Sequence, residues 1–183
     1  MSLLPLDVLA RIPLLPVLIW QGLSVRRNAL ILPEASGPRS GVAGTGPELR
    51  LLILGDSSAA GVGVSTQSVA LSGQVVKALA SKRWVSWQLI ARSGATTADA
   101  IGMLEGVRDQ RFDVVLGVND AVRLARLGPW RKRQADLREK LRASYGAQHI
   151  IVTAVPPIAV FPALPPLLRW ILGAHAARMD QAL

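Results

Sequence analysis

The sequence predicts an α/β domain built on a parallel sheet with helices on both faces. Three observations predict it. Short apolar runs alternate with segments whose apolar residues recur at helical spacing. A glycine-rich turn, Gly55-Asp56-Ser57-Ser58-Ala59-Ala60-Gly61-Val62-Gly63, follows the first run. The 183 residues are enough for one sizeable core. Such alternation favours parallel strands joined by right-handed crossovers.

Residues 49–54 form the first strand, an apolar run closed by Gly55. In residues 65–81, Val69, Val76 and Leu79, with Ala80, recur at helical spacing behind Ser65, a suitable N-cap. Residues 85–91 read as the second strand, 98–107 as a helix with Ile101, Leu104 and Val107 on one face, and 113–116 as a short third strand. A polar helix follows over 130–145. HIIVTAV at 149–155 is the fourth strand, rich in β-branched residues and stopped by Pro156 and Pro157. Residues 167–183 read as the last helix. No internal repeat is present.

Ahead of this lie two other segments. Residues 33–48, PEASGPRSGVAGTGPE, lack apolar periodicity and read as a Gly/Pro-rich linker. Residues 1–32 form an apolar N-terminal segment interrupted by Pro5, Asp7, Arg11, Pro13 and Pro16. Its uncharged stretch, 12–25, falls short of the roughly 20 apolar residues a membrane span needs. Arg26 and Arg27 follow the apolar run, whereas a secretory signal has its basic residues first. The segment therefore either lies on a membrane surface or packs on the domain. Location stays open, with the cytoplasm or a membrane surface favoured over secretion.

Composition excludes several chemistries. With no cysteines, disulfides, thiolate metal sites and thiol nucleophiles are ruled out. The net charge of +9 is scattered along the chain. Its densest cluster, Arg131, Lys132 and Arg133, opens the polar helix without interleaved aromatic residues, which reads as a solvated face and not a nucleic-acid site. The oligomeric state is not legible.

In open parallel sheets, sites form at the carboxyl ends of strands, so the loops beginning at Gly55, Arg92 and Gly117 are expected to converge. The first exposes Ser57 at a helix start, where free backbone N–H groups suit a developing anion. The second, Arg92-Ser93-Gly94-Ala95-Thr96-Thr97, offers the Gly94 N–H. The third, Gly117-Val118-Asn119-Asp120, offers the Asn119 amide. Each loop alone is also an ordinary turn. A nucleophile and several pre-aimed donors at one point are what acyl transfer requires.

G-D-S-S, then a loop glycine, then G-V-N-D resembles the first three sequence blocks of the SGNH (GDSL-type) serine hydrolases. The resemblance covers residues 49–183, including the Val155-Pro156-Pro157 turn. It implies a three-layer α/β/α sandwich with a flavodoxin-like sheet and hydrolysis of small esters without metal or organic cofactor. It implies Ser57 as nucleophile and backbone oxyanion donor, Gly94 as a second backbone donor and Asn119 as the side-chain donor.

The family's Asp-x-x-His block, source of the catalytic base, does not occur in the 183 residues. His149 and His175 are the only histidines, and neither has Asp three residues before it. His149 reads as structural, at the amino end of its strand; His175, inside the last helix, is a distant substitute. Only Gln181, Ala182 and Leu183 follow Asp180. The expectation is a chain truncated before the block, with its last strand missing, the 149–155 strand left as an edge, and little turnover. The short third strand also threatens the register of Asn119 with Ser57. Two rival readings are a non-catalytic small-ligand-binding α/β domain and, further behind, a Rossmann-like nucleotide-binding domain, for which G-x-G-x-x-G is lacking.

Overall fold

The computed structural model describes residues 5–107, 111–117 and 124–183. Two compact units are formed: one from residues 32–117 and 126–154, the other from 5–31, 124–125 and 155–183.

The first unit is a five-stranded sheet in the order β1-β3-β2-β4-β5. Its strands are β1 (Ser40–Ala43), β2 (Glu48–Gly55), β3 (Trp84–Ala91), β4 (Val114–Gly117) and β5 (His149–Val152). β2 runs parallel to β3 and β4, and β4 parallel to β5. β1 pairs antiparallel with β3. The expected parallel core is therefore present, and the sheet is mixed because part of the stretch read as linker adds an edge strand.

Leu51, Leu52, Ile53 and Leu54 at the centre of β2 are all buried, since side chains alternate between two covered faces. Leu52 and Leu54 join Leu104, Leu137, Leu141 and Tyr145. Leu51 and Ile53 join Ala59, Ala60, Val76 and Leu89. Each buried leucine or isoleucine contributes about 2 kcal/mol. α3 (Ser57–Ala60) and α4 (Leu71–Ala80) supply one outer layer, α5 (Thr97–Met103) and α6 (Leu127–Tyr145) the other. The result is the expected α/β/α sandwich.

Several boundaries differ from the sequence reading, and α6 begins at Leu127 and not at 130. α4 starts at Leu71 with Ala70 as N-cap, not at Ser65, because the preceding residues form turns around the buried Gln67. The 98–107 helix ends as a 3₁₀ turn, Leu104–Gly106. β5 stops at Val152, three residues earlier than read, and pairs only with β4.

The second unit contains α1 (Leu6–Ala10), α2 (Leu15–Asn28) and α7 (Pro166–Gln181), with α1 and α2 both contacting α7. Residues 155–183 thus group with the N-terminal helices. Asp7, buried, accepts hydrogen bonds from Arg178 at 2.7 and 2.6 Å and from Arg11 at 3.0 Å. Those guanidinium groups hold its carboxyl below the usual carboxylate range, Arg178 most strongly. The Leu168 N–H donates to Gln21 Oε1 at 3.1 Å, pinning α2 to the first turn of α7. Among the described residues no helix is long and apolar enough to cross a membrane.

Candidate active site

The chain leaves β2 at Gly55 and turns sharply. Asp56 Oδ1 accepts the Ser58 N–H at 2.9 Å, capping α3, and Gly61 at φ +75° closes it. Ala59 and Ala60 are buried in the core, while Ser57, the first residue of α3, remains partly accessible. No described residue hydrogen-bonds the Ser57 hydroxyl.

Register aligns the strand ends from which the loops leave. Gly55 is level with Ala91 of β3, and Leu54 with Gly117 of β4. Ser57 and Gly94 therefore leave adjacent strands at the same, carboxyl end of the sheet. Gly94 is exposed at φ +75°, and a Cβ placed on it would meet nothing within 4 Å. The left-handed backbone is what selects glycine there, not crowding. Asn119 lies outside the described residues. Its strand, although only four residues long, pairs with β2 without a break from Leu51↔Val114 to Leu54↔Gly117. The Arg50 N–H and Nη2 each donate to Asp113 at 2.9 Å, fixing where that pairing begins. The Asp113 carboxyl is pulled down by Arg50.

Two supports of these loops were not visible in the sequence. Glu34 Oε1 accepts the Ser93 N–H at 2.7 Å, beside Gly94, and also pairs with Arg39. Arg39 Nη1 donates to the Ala91 carbonyl at 2.7 Å. The Ser93 N–H is the main cause of a lowered Glu34 carboxyl pKa. Gln67, buried, donates from Nε2 to the carbonyls of Ala60 at 3.0 Å and Ala35 at 3.1 Å, and its Oε1 accepts from Ser72 at 2.7 Å. One buried amide thereby fastens the end of the Ser57 turn. Residues 34–39 sit in a stretch without periodicity, and Gln67 in one read as helix; a composition-based reading had no signal for either.

His149 is not placed as a base for Ser57. His149 is level with Val114, itself level with Leu51. That is the opposite end of the sheet, about 13 Å along β2 from Gly55. His175 belongs to the other unit, is buried, and its Nε2 has no hydrogen-bond partner among the described residues. Burial, then Arg11 and Arg178, push its pKa below the usual histidine range. Among the described residues no cluster of three or more His, Asp or Glu side chains could hold a metal ion.

Residues 53–183 match the GDSL-like Lipase/Acylhydrolase family. A GDSL-like esterase of Mycobacterium tuberculosis is 27% identical over 142 residues, covering 74% of this chain and 45% of that protein. The chain thus spans a little under half of this curated relative. A phospholipase A1 from Streptomyces albidoflavus is similar in structure, with a TM-score of 0.54 at 15% identity over 73% of each chain. A catalytic mutant of an acetylxylan esterase from Geobacillus stearothermophilus gives a TM-score of 0.52 at 16% identity, covering 75% of this chain and 74% of that one. At these identities the two structures bear on the fold alone.

Proposed function

This chain belongs to the GDSL-like lipase/acylhydrolase family, and from that premise we propose that it is a serine ester hydrolase in which Ser57 attacks the acyl carbon. The observation that carries the reading is the register of β2 with β3 and β4, which sets the loops of Ser57 and Gly94 and the strand exit before Asn119 side by side. Ser57 Oγ forms the bond to the carbonyl carbon and gives up its proton. The carbonyl oxygen, now an oxyanion, is held by the Ser57 and Gly94 N–H groups and the Asn119 amide, each contributing about 3 kcal/mol. The intermediate collapses, the carbon–oxygen bond to the alcohol breaks and the alcohol leaves with the proton. Water then attacks the acyl-serine, releasing the acid and returning a proton to Ser57 Oγ. No metal or organic cofactor has a part in these steps.

The proton needs a base, and the family's Asp-x-x-His block is absent from these 183 residues. Loss of the base lowers turnover by on the order of 10⁴- to 10⁶-fold. The expectation is therefore a chain that folds the nucleophile and oxyanion side of the site and turns over little. Fluorophosphonate labelling read by intact mass tests this. Slow labelling that disappears in Ser57→Ala, and accelerates in a longer chain carrying an Asp-x-x-His block, supports the reading; labelling retained in Ser57→Ala overturns it.

A second reading, a small-ligand-binding domain without turnover, is favoured by one feature. A cavity of about 760 Å³ lies between β1 and α4, lined by Gln67, Val76, Lys77 and Trp87 among others, and Ser57 is not on its wall. Its size suits a small organic ligand. Ligand-induced change in Trp87 emission, unaffected by Ser57→Ala and lost on Val76→Trp, is the outcome that would favour it.

A further inference from the structure

We propose that the outer face of α2 is a docking surface for an anionic lipid bilayer. Leu15, Ile19, Trp20 and Leu23 are 52%, 52%, 68% and 48% exposed. At 100° per residue they fall within about 140° of the helix circumference, one continuous stripe. The opposite side is the one that packs: Leu18 is buried and Gln21 holds the first turn of α7. The stripe is therefore not needed by the fold that the second unit makes for itself. Ile12, just before α2, and Leu30 and Ile31, just after it, extend the exposed apolar surface. A patch of this kind on a soluble surface marks an interaction site.

Charge identifies the occupant. Arg26 and Arg27 fall on the same side of α2, are exposed, and enter no ion pair among the described residues. Residues 8–33 contain no Asp or Glu, and the chain as a whole carries +9. An apolar stripe with an aromatic ring and a basic end is suited to an interface where acyl chains meet anionic headgroups. Fourteen helical residues reach about 21 Å, short of the roughly 30 Å hydrocarbon core, so the helix lies in the surface and does not cross it. This inference is independent of the chemistry at Ser57.

Co-sedimentation of the 183-residue chain with vesicles of phosphatidylglycerol and phosphatidylcholine, against phosphatidylcholine alone, tests it. The expected result is binding to the anionic vesicles that weakens with added salt, with a blue shift of tryptophan emission that is lost in Trp20→Phe. Ile19→Asp with Leu23→Asp lowers partitioning at least tenfold. Arg26→Glu with Arg27→Glu lowers it by at least about 25-fold, at roughly fivefold for each arginine charge removed, and the two added carboxylates repel the anionic surface further. Arg131→Glu with Arg133→Glu, on α6, changes it far less. Circular dichroism and thermal unfolding check that these exposed substitutions leave the fold intact. Absence of binding to anionic vesicles, or equal binding by the Ile19→Asp/Leu23→Asp chain, overturns the proposal. So does a lipid-free dimer that this pair of substitutions dissociates, because the face would then belong to a second copy.

Discussion

Gly61 and Ala70 approach so closely that a methyl group on Gly61 would lie 2.8 Å from the Ala70 Cβ, and 2.7 Å from that of Ala35. Gly61 also holds φ +75°, so a side chain there is both strained and crowded. Gly61→Ala is expected to cost about 3 kcal/mol. Gly63, at φ +97°, is a comparison: its added Cβ would meet only Leu32 at 3.9 Å. Gly63→Ala carries backbone strain alone and is expected to cost about 1 kcal/mol. Urea unfolding of the two variants separates the contributions, and equal midpoints would show that crowding around Gly61 relaxes away. Labelling of Ser57 should fall in Gly61→Ala and change little in Gly63→Ala.

Glu34 ties the stretch ahead of β1 to the Gly94 loop, through Ser93 N–H and Arg39. Glu34→Ala is expected to speed amide exchange at Ser93 and Ala95 without altering exchange in β2. The pH dependence follows from the direction of the shift. The folded carboxyl titrates below its usual 4.5, so its contribution is complete above that value and disappears as pH falls through the folded pKa. Loop exchange should rise in that acid window in the native chain and be insensitive to it in Glu34→Ala. An exchange rate at Ser93 unchanged by the substitution would show that the loop is held by other contacts.

The alternation of strands and helices, the two covered faces and the nucleophile turn were legible because each follows from local pattern. The unbroken run Leu51–Leu54 demands burial on both sides, and small residues after Gly55 demand a tight turn. β1 was not legible: Ser40–Ala43 has only four residues, of which Ser40, Gly41 and Val42 are exposed, and its pairing with β3 is antiparallel and non-local. Gln67 was hidden for a related reason, since its value lies in three partners, Ala35, Ala60 and Ser72, that no spacing rule connects. The grouping of α7 with the N-terminal helices depends on Asp7 meeting Arg178, 171 positions away. Long-range ion pairs of that kind leave no trace in periodicity.

β5 is an edge strand four residues long, and Ile151 on it is 54% exposed. Unpaired backbone groups beside an exposed β-branched side chain invite pairing with another chain. The 183-residue chain is therefore expected to associate with rising concentration, and Ile151→Lys to suppress this without loss of folded stability. Sedimentation velocity across a concentration series measures it. A monomer at all concentrations would mean that the edge is already protected.

His175 and Asp7 set two separate acid limits on the second unit. The folded His175 pKa is depressed, so the unfolded chain takes up the proton first and stability declines as pH drops through the unfolded value of about 6.5. The groups around it explain the direction: burial leads, the cations Arg11 and Arg178 add to it, and Asp7 and the Ala125 carbonyl oppose it. Asp7 acts lower, since its depressed carboxyl loses its contribution only below the usual 3.8. Unfolding midpoints at pH 7.5 and pH 5.5 thus isolate the histidine, because Asp7 stays ionised at both. His175→Leu is expected to remove the decline between these two values while leaving the loss near pH 3 in place. The same variant separates structure from catalysis: fluorophosphonate labelling of Ser57 at pH 7.5 should be unchanged. If labelling is abolished while the chain remains folded, His175 is serving as the base, and the low turnover expected of these 183 residues would have to be abandoned.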